Sequence, residues 1–123
     1  MTVTARFETE RASRYLQQLC KHFAHKVPAE WSETHGDVRL PHGRCLLDAA
    51  DNVLTMRCEA TEPAREPLLV KIVEVHLERF AWKERVALEW MRDGRPADDL
   101  MTKLRAMPDP HGDRPDRHGD DEA

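Results

Sequence analysis

The sequence predicts a two-layer α+β sandwich: an antiparallel sheet with two helices on one face, in the order strand, helix, three strands, helix, strand, followed by a short C-terminal helix. Three observations carry this prediction. Two segments repeat their apolar residues at helical spacing, several short segments alternate apolar with polar residues, and turn-forming residues separate them. Two helices beside an antiparallel sheet bury their apolar stripes by covering one sheet face together. At 123 residues the chain fits one compact domain with a single core.

The first strand is Thr2 to Thr9, where Val3, Ala5 and Phe7 alternate with Thr4, Arg6 and Glu8. Ala12, Tyr15, Leu16, Leu19, Cys20, Phe23 and Val27 then recur at helical spacing, so the first helix is Arg11 to Lys26, stopped by Pro28. Three strands follow. His35-Gly36 is expected to separate Trp31 from Val38 and Leu40, and Pro41-His42-Gly43 to form a bend or bulge. Asp51-Asn52 divides Leu47 from Leu54, and Leu54, Met56, Cys58 and Ala60 face inward along the last of the three. If Asp51 and Asn52 form a two-residue hairpin, strand partners have numbers that sum to 103. Ala49 then meets Leu54, Leu47 meets Met56 and Cys45 meets Cys58, all facing the core.

Glu62, Pro63, Glu66 and Pro67 open the second helix, with acidic side chains at the positive end of its dipole. Leu69, Ile72, Val73 and Phe80 give it a stripe from Pro67 to Ala81. A final strand, Arg85 to Met91, points Val86, Leu88 and Trp90 one way, and Asp93-Gly94-Arg95-Pro96 ends the sandwich domain, residues 1–93. Within 94–107, Leu100, Met101, Leu104 and Met107 share the stripe of a short amphipathic helix.

Residues 1–107 carry 17 basic and 17 acidic side chains, so the net charge of −4 resides in 108–123, which holds two Arg against five Asp and one Glu. That segment has three prolines, two glycines and no aliphatic residue larger than alanine, and is expected to be a disordered acidic tail. A neutral body with an acidic tail argues against nucleic acid as ligand. No run approaches the ~18 apolar residues of a membrane span, and residues 1–10 lack the pattern of a secretory signal, so the expected location is the cytoplasm. Three cysteines, an odd number, are expected as reduced thiols, with Cys45 and Cys58 packed in the core.

Three features could carry chemistry. Cys20, His22 and His25 are metal-ligating residue types within six positions, but Cys20 and His22 lie about 160° apart around a helix. His22 and His25 share a side and could supply two ligands to a metal ion, with a third required from elsewhere. His76 sits in the middle of the second helix's apolar stripe, where a polar ring needs a partner: a backbone carbonyl, a buried water, or a ligand in a pocket between helix and sheet. Arg11, Arg14, Gln18, Lys21, His22 and His25 make the outer face of the first helix basic, with no acidic residue among them. No Gly-rich phosphate loop, nucleophile elbow, HExxH or CxxC is present, which disfavours a conventional hydrolase or nucleotide enzyme.

The run Arg14-Tyr15-Leu16, then Leu19-Cys20-Lys21-His22-Phe23-Ala24-His25-Lys26-Val27-Pro28, then Thr34-His35-Gly36, and finally His76-Leu77-Glu78-Arg79-Phe80-Ala81 with Glu84, resembles the bacterial domain of unknown function 2218 family over about residues 3–91. The resemblance implies a small cytoplasmic protein without an assigned activity. Similar domains joined to siderophore-interacting flavin reductases imply an association with iron handling. The chain from Asp93 onward lies outside the resemblance.

The function expected is therefore a non-enzymatic accessory or binding module, linked through the resemblance to iron or siderophore metabolism. Its candidate ligand-binding residues are Arg14, Lys21, His22, His25 and Lys26 on the first helix with His76 and Arg79 on the second. The expected partner is an anionic small molecule or an acidic protein surface, the resemblance pointing to a siderophore-interacting flavin reductase. No cofactor is required by this reading. The alternative is a metal-dependent or redox enzyme using His22, His25 and His76, with His22 and His25 as metal ligands.

Overall fold

The structure, a computed structural model, describes residues 2–108. Apart from Pro108, the segment expected to be a disordered acidic tail lies outside the described residues. The elements are β1 (Thr2–Glu8), α1 (Ala12–Phe23), β2 (Ala29–Trp31), β3 (His35–Leu40), β4 (Gly43–Ala50), β5 (Val53–Ala60), a 3₁₀ turn (Pro63–Arg65), α2 (Glu66–Phe80), β6 (Met91–Arg92), β7 (Arg95–Pro96) and α3 (Asp98–Ala106). The strands form one antiparallel sheet in the order β2-β3-β4-β5-β1-β6-β7, and α1 and α2 pack on the same side of it. This is the expected α+β sandwich with its short C-terminal helix.

The register of the β4–β5 hairpin is the one expected. Cys45 faces Cys58, Leu47 faces Met56 and Ala49 faces Leu54, and all six are buried. Asp51 and Asn52 both have left-handed backbone, with φ of 53° and 59°, as a type I′ turn requires. β1 joins the free edge of β5 and turns Val3, Ala5 and Phe7 into the same core.

The strand count differs from expectation in two places. Where three strands were expected after α1 there are four, because Pro41-His42 is a tight two-residue connection that pairs Leu40 with Gly43 rather than a bend within one strand. Gly43 allows it: its φ is 152°, and a Cβ there would lie 2.2 Å from the Glu59 carbonyl oxygen. His35-Gly36 is not a turn but lies within β3, paired with Asp48 and Leu47. Gly36 serves a close approach instead, since a Cβ on it would meet the Cys20 Sγ of α1 at 2.6 Å.

The expected strand from Arg85 to Met91 is also corrected. Residues 85–90 have no ladder, and only Met91 bridges to Thr4 before β6 and β7 form a small hairpin over Asp93-Gly94. Trp90 is nonetheless fully buried and Val86 and Leu88 pack against the core, so the alternation reported one-sided burial rather than hydrogen bonding. α3 packs on α2, with Leu100 and Leu104 buried, and Lys71 Nζ donates to the Leu104 carbonyl at 3.0 Å.

Two carboxylates tie these elements together. Glu66 was expected at the helix terminus for its charge alone, but its side chain is buried and accepts two bonds from the Arg92 guanidinium at 2.7 and 2.9 Å, joining α2 to β6. Glu84, just after α2, accepts bonds on one oxygen from Tyr15 Oη at 2.6 Å, Thr9 Oγ1 at 3.0 Å and Arg11 at 3.1 Å. The Tyr15 hydrogen bond, helped by Thr9 and Arg11, lowers the Glu84 pKa against a smaller opposing effect of burial. Burial, followed by the Glu84 bond, raises that of Tyr15.

Two outcomes follow from this packing. Gly36→Ala should destabilise the fold by about 1–3 kcal/mol, as overpacking does, and Cys20→Ala should recover much of that loss in the double variant, measured by urea unfolding. A Glu whose folded pKa is depressed stabilises above the unfolded pKa and loses that contribution as pH falls through the folded value. Glu84→Gln should therefore cost about 1–3 kcal/mol near pH 7, in the range of hydrogen bonds to charged groups, with the gap from wild type closing in acid below the ordinary glutamate range.

Candidate functional site: a cleft between the two helices

The helix α1 ends at Phe23, three residues sooner than its apolar pattern suggests. Tight turns follow, with the His25 N–H donating to the His22 carbonyl at 3.2 Å and the N–H groups of Lys26 and Val27 to that of Phe23 at 3.0 and 2.9 Å. Pro28 makes this early reversal natural, because the residue before a proline avoids helical backbone. The turn brings His25, Lys26 and Val27 beside α2.

There they line a cleft of about 670 Å³ with His22, Phe23, Leu40, Leu68, Ile72, His76 and Arg79. Among the described residues, none of the lining side chains is acidic. The floor is apolar, formed by Phe23, Val27, Leu40 and Ile72, and the basic residues stand around it.

Two histidines meet inside. His76 is 2 % exposed, and its Nδ1 lies 2.7 Å from the Ile72 carbonyl oxygen one turn back. A carbonyl only accepts, so Nδ1 carries the hydrogen and a neutral His76 ring has its lone pair on Nε2. The His22 ring lies 4.8 Å from that of His76, centroid to centroid, and edge-on to Phe80 at 5.7 Å, while Phe23 is 4.9 Å from His76. Four rings thus pack at the seam between the helices, and His22 is half-buried rather than part of a solvated face.

The candidate residues are not all brought together. His22, His25, Lys26, His76 and Arg79 converge on the cleft. Arg14 and Lys21 instead line a second, shallower groove with Ser13, Gln17, Gln18 and Trp31. Arg11, also expected in the basic stripe, donates to Glu84. Of the expected basic face of α1, Arg14 and Lys21 thus line one groove and His22 and His25 the other. For the expected metal ligands His22 and His25, no third ligand is at hand: among the described residues no group of three or more His, Cys, Asp or Glu is placed to hold a metal ion.

Leu40 and Leu68 belong to the cleft without having been singled out from the sequence. Leu69 is buried in the core, whereas its neighbour Leu68 is half-buried and lines the cleft. Leu40 gave no signal in the sequence, because its place depends on how β3 ends beside α1.

The cysteines lie elsewhere, Cys20 on the inner face of α1 and Cys45 and Cys58 on the sheet beneath the helices. All three are free and buried. The Cys45 thiol is pushed well up by its hydrogen bond with Cys58 and by burial, and burial pushes Cys20 to about 12. Such thiols stay protonated and serve as packing. Among the described residues no helix is long and apolar enough to cross a membrane.

The fold and cleft define a small α+β domain with a basic, His-containing pocket between two helices. The chain belongs to the bacterial family described as "Uncharacterized protein conserved in bacteria (DUF2218)", which matches residues 4–91. The structure is similar to the NMR structure of PA4090 from Pseudomonas aeruginosa, with a TM-score of 0.63 and 26 % identity over 76 % of this chain and 97 % of that one. Over 58 residues, 46 % of its length, the chain is 43 % identical to 3-deoxy-manno-octulosonate cytidylyltransferase 2 of Burkholderia ambifaria (strain MC40-6), but it spans only 22 % of that protein. The cleft residues all fall within the family match, whereas the β6–β7 hairpin and α3 lie at or beyond its end.

Replacing His76 by Leu removes the ring and its bond while keeping the volume apolar. His76→Leu should change unfolding stability by no more than about 1.5 kcal/mol, as volume-conserving core swaps do. Loss of folding would mean that the Ile72 bond is structurally essential.

Proposed function

We propose that this protein is a binding module whose site is the cleft between α1 and α2, and that its ligand is a small organic anion with an apolar portion. The observation that carries the reading is the pairing of an apolar floor with His25, Lys26 and Arg79 at the rim and no acidic lining residue. An apolar body gains by leaving water for such a floor, and a carboxylate or similar group gains from cations at its edge. A cleft of about 670 Å³ is the size that accepts a small molecule. A carboxylate-rich siderophore fragment is one member of the class, and an acidic protein surface, such as that of a flavin reductase, could reach only the rim. Nucleotidyl transfer forms no part of the proposal, since the matched stretch is 22 % of that enzyme. Three free cysteines support the cytoplasm as its setting.

The test is calorimetric titration with a panel of anions that share a carboxylate and differ in apolar size. Affinity should rise with apolar size and fall with added salt, because the rim charges are screened over about 8 Å at physiological ionic strength. Lys26→Glu with Arg79→Glu should weaken binding at least about tenfold, while Arg14→Glu with Lys21→Glu, in the other groove, should leave it unchanged. Equal losses from both pairs, or no binding by any member, would overturn the reading.

A further inference from the structure

β2 is an edge strand of the sheet, paired with β3 on its inner side. Beyond its two ends the Ser32 N–H donates to the His35 carbonyl at 2.8 Å, and the Arg39 N–H to the Pro28 carbonyl at 3.0 Å. In an antiparallel ladder, residues that exchange bonds with the partner strand alternate with residues that do not. Positions 28, 30 and 32 therefore bond toward β3, and the N–H and C=O groups of Ala29 and Trp31 point to the open edge. Such an edge is a template for one more strand.

The side chains beside this edge select the strand. Trp31 lies opposite Gly36, whose missing Cβ would face the Cys20 Sγ of α1, so the indole is on the helix side of the sheet. It is 39 % exposed and shares the second groove, of about 500 Å³, with Arg14, Lys21 and the amides of Gln17 and Gln18. None of the residues lining that groove is acidic, and among the described residues no carboxylate is paired with Arg14 or Lys21. These two cations stand two turns apart on α1, roughly 10 Å, a span that three or four extended residues cover. On the outer face of β2 stands Glu30, exposed and opposite Asp37. An added strand thus meets cations and an indole with one set of alternate side chains, and a carboxylate with the other. Because β2 has three residues, the ladder bonds are few and the groove must supply the rest of the affinity.

We infer that the edge of β2 and the groove beside α1 dock an extended acidic segment of a partner protein, which adds to β2 as a further strand. Its groove-facing side chains are carboxylates on either side of an apolar residue, the carboxylates against Arg14 and Lys21 and the apolar residue against Trp31. Its outward side chains are neutral, since Glu30 repels a carboxylate placed beside it. A second copy of this chain is a poor occupant, because pairing β2 with itself brings the Glu30 carboxylates of two chains, and the cations of two α1 helices, to one seam. The site is separate from the cleft between α1 and α2 and does not depend on how that cleft is used.

The experiment titrates the full chain with two end-blocked peptides of one composition. In Thr-Glu-Thr-Leu-Thr-Glu-Thr the carboxylates share a strand face with the leucine, and in Thr-Thr-Glu-Leu-Glu-Thr-Thr they lie on the opposite face. The first should bind at least about tenfold more tightly than the second. In two-dimensional amide spectra its binding should shift the Ala29 and Trp31 signals and slow the exchange of those two amide protons with solvent, as new ladder bonds require. Arg14→Glu with Lys21→Glu should weaken binding at least about tenfold, while Lys26→Glu with Arg79→Glu, in the cleft, should leave it unchanged. Equal binding of the two peptides, or no binding of the first at millimolar concentration, would overturn the inference. So would shifts at Arg14 and Lys21 without those at Ala29 and Trp31, or a dimer that forms through β2 in the absence of peptide.

Discussion

The β4–β5 hairpin turn is the constraint on which the rest of the structure depends. With Asp51 and Asn52 both in left-handed backbone, the turn can close in only one register, and a slip of one residue would send every inward side chain to the opposite face. The register puts Cys45, Leu47, Ala49, Leu54, Met56 and Cys58 under the helices and leaves Arg44, Asp48 and Arg57 outside. β3 and β1 then add to the two free edges of that hairpin, each contributing a matching inward set. The helices cover the only apolar face the hairpin offers.

From that face the cleft follows as a consequence of how the helices are trimmed. α1 approaches β3 so closely that position 36 has no room for a Cβ, and it stops at Phe23 because the chain must reverse before Pro28. Ile72 and His76 in the middle of α2, and Arg79 in its last turn, line the cleft together with the short loop that follows α1. The aromatic seam of His22, Phe23, His76 and Phe80 closes the inner end of the gap. Glu84 and Glu66 hold α2 at its two ends, the first to the β1–α1 junction and the second to β6. Between those two ends lie the basic and apolar groups of the cleft.

Much of this was legible in the sequence because it is local. The inward faces of β1 and β5, the register of the β4–β5 hairpin, the stripe of α3 and the burial of His76 follow from periodicity and turn chemistry, and the structure has each of them. What misled were residues whose role is set by a distant neighbour. Gly36 looks like a turn glycine until α1 is laid over β3, and Pro41-His42-Gly43 looks like a bulge until Gly43 is seen against Glu59 and Ala60. Glu66 finds Arg92, 26 residues on, and Arg11 finds Glu84, 73 residues on. For the site, a helical wheel places His22 and Lys21 on one outer face. Only the position of α2 turns His22 inward to meet His76 and leaves Lys21 beside Trp31.

We propose that the gap between α1 and α2 is where this protein receives a ligand. The most direct measurement is a set of intermolecular NOEs between a bound carboxylate and protein whose isoleucine and leucine methyl groups are labelled. The apolar end of the ligand should contact the methyls of Ile72, Leu68 and Leu40. Contacts to Leu46 on the outer sheet face, or to none of these methyls while the ligand remains bound, would contradict it.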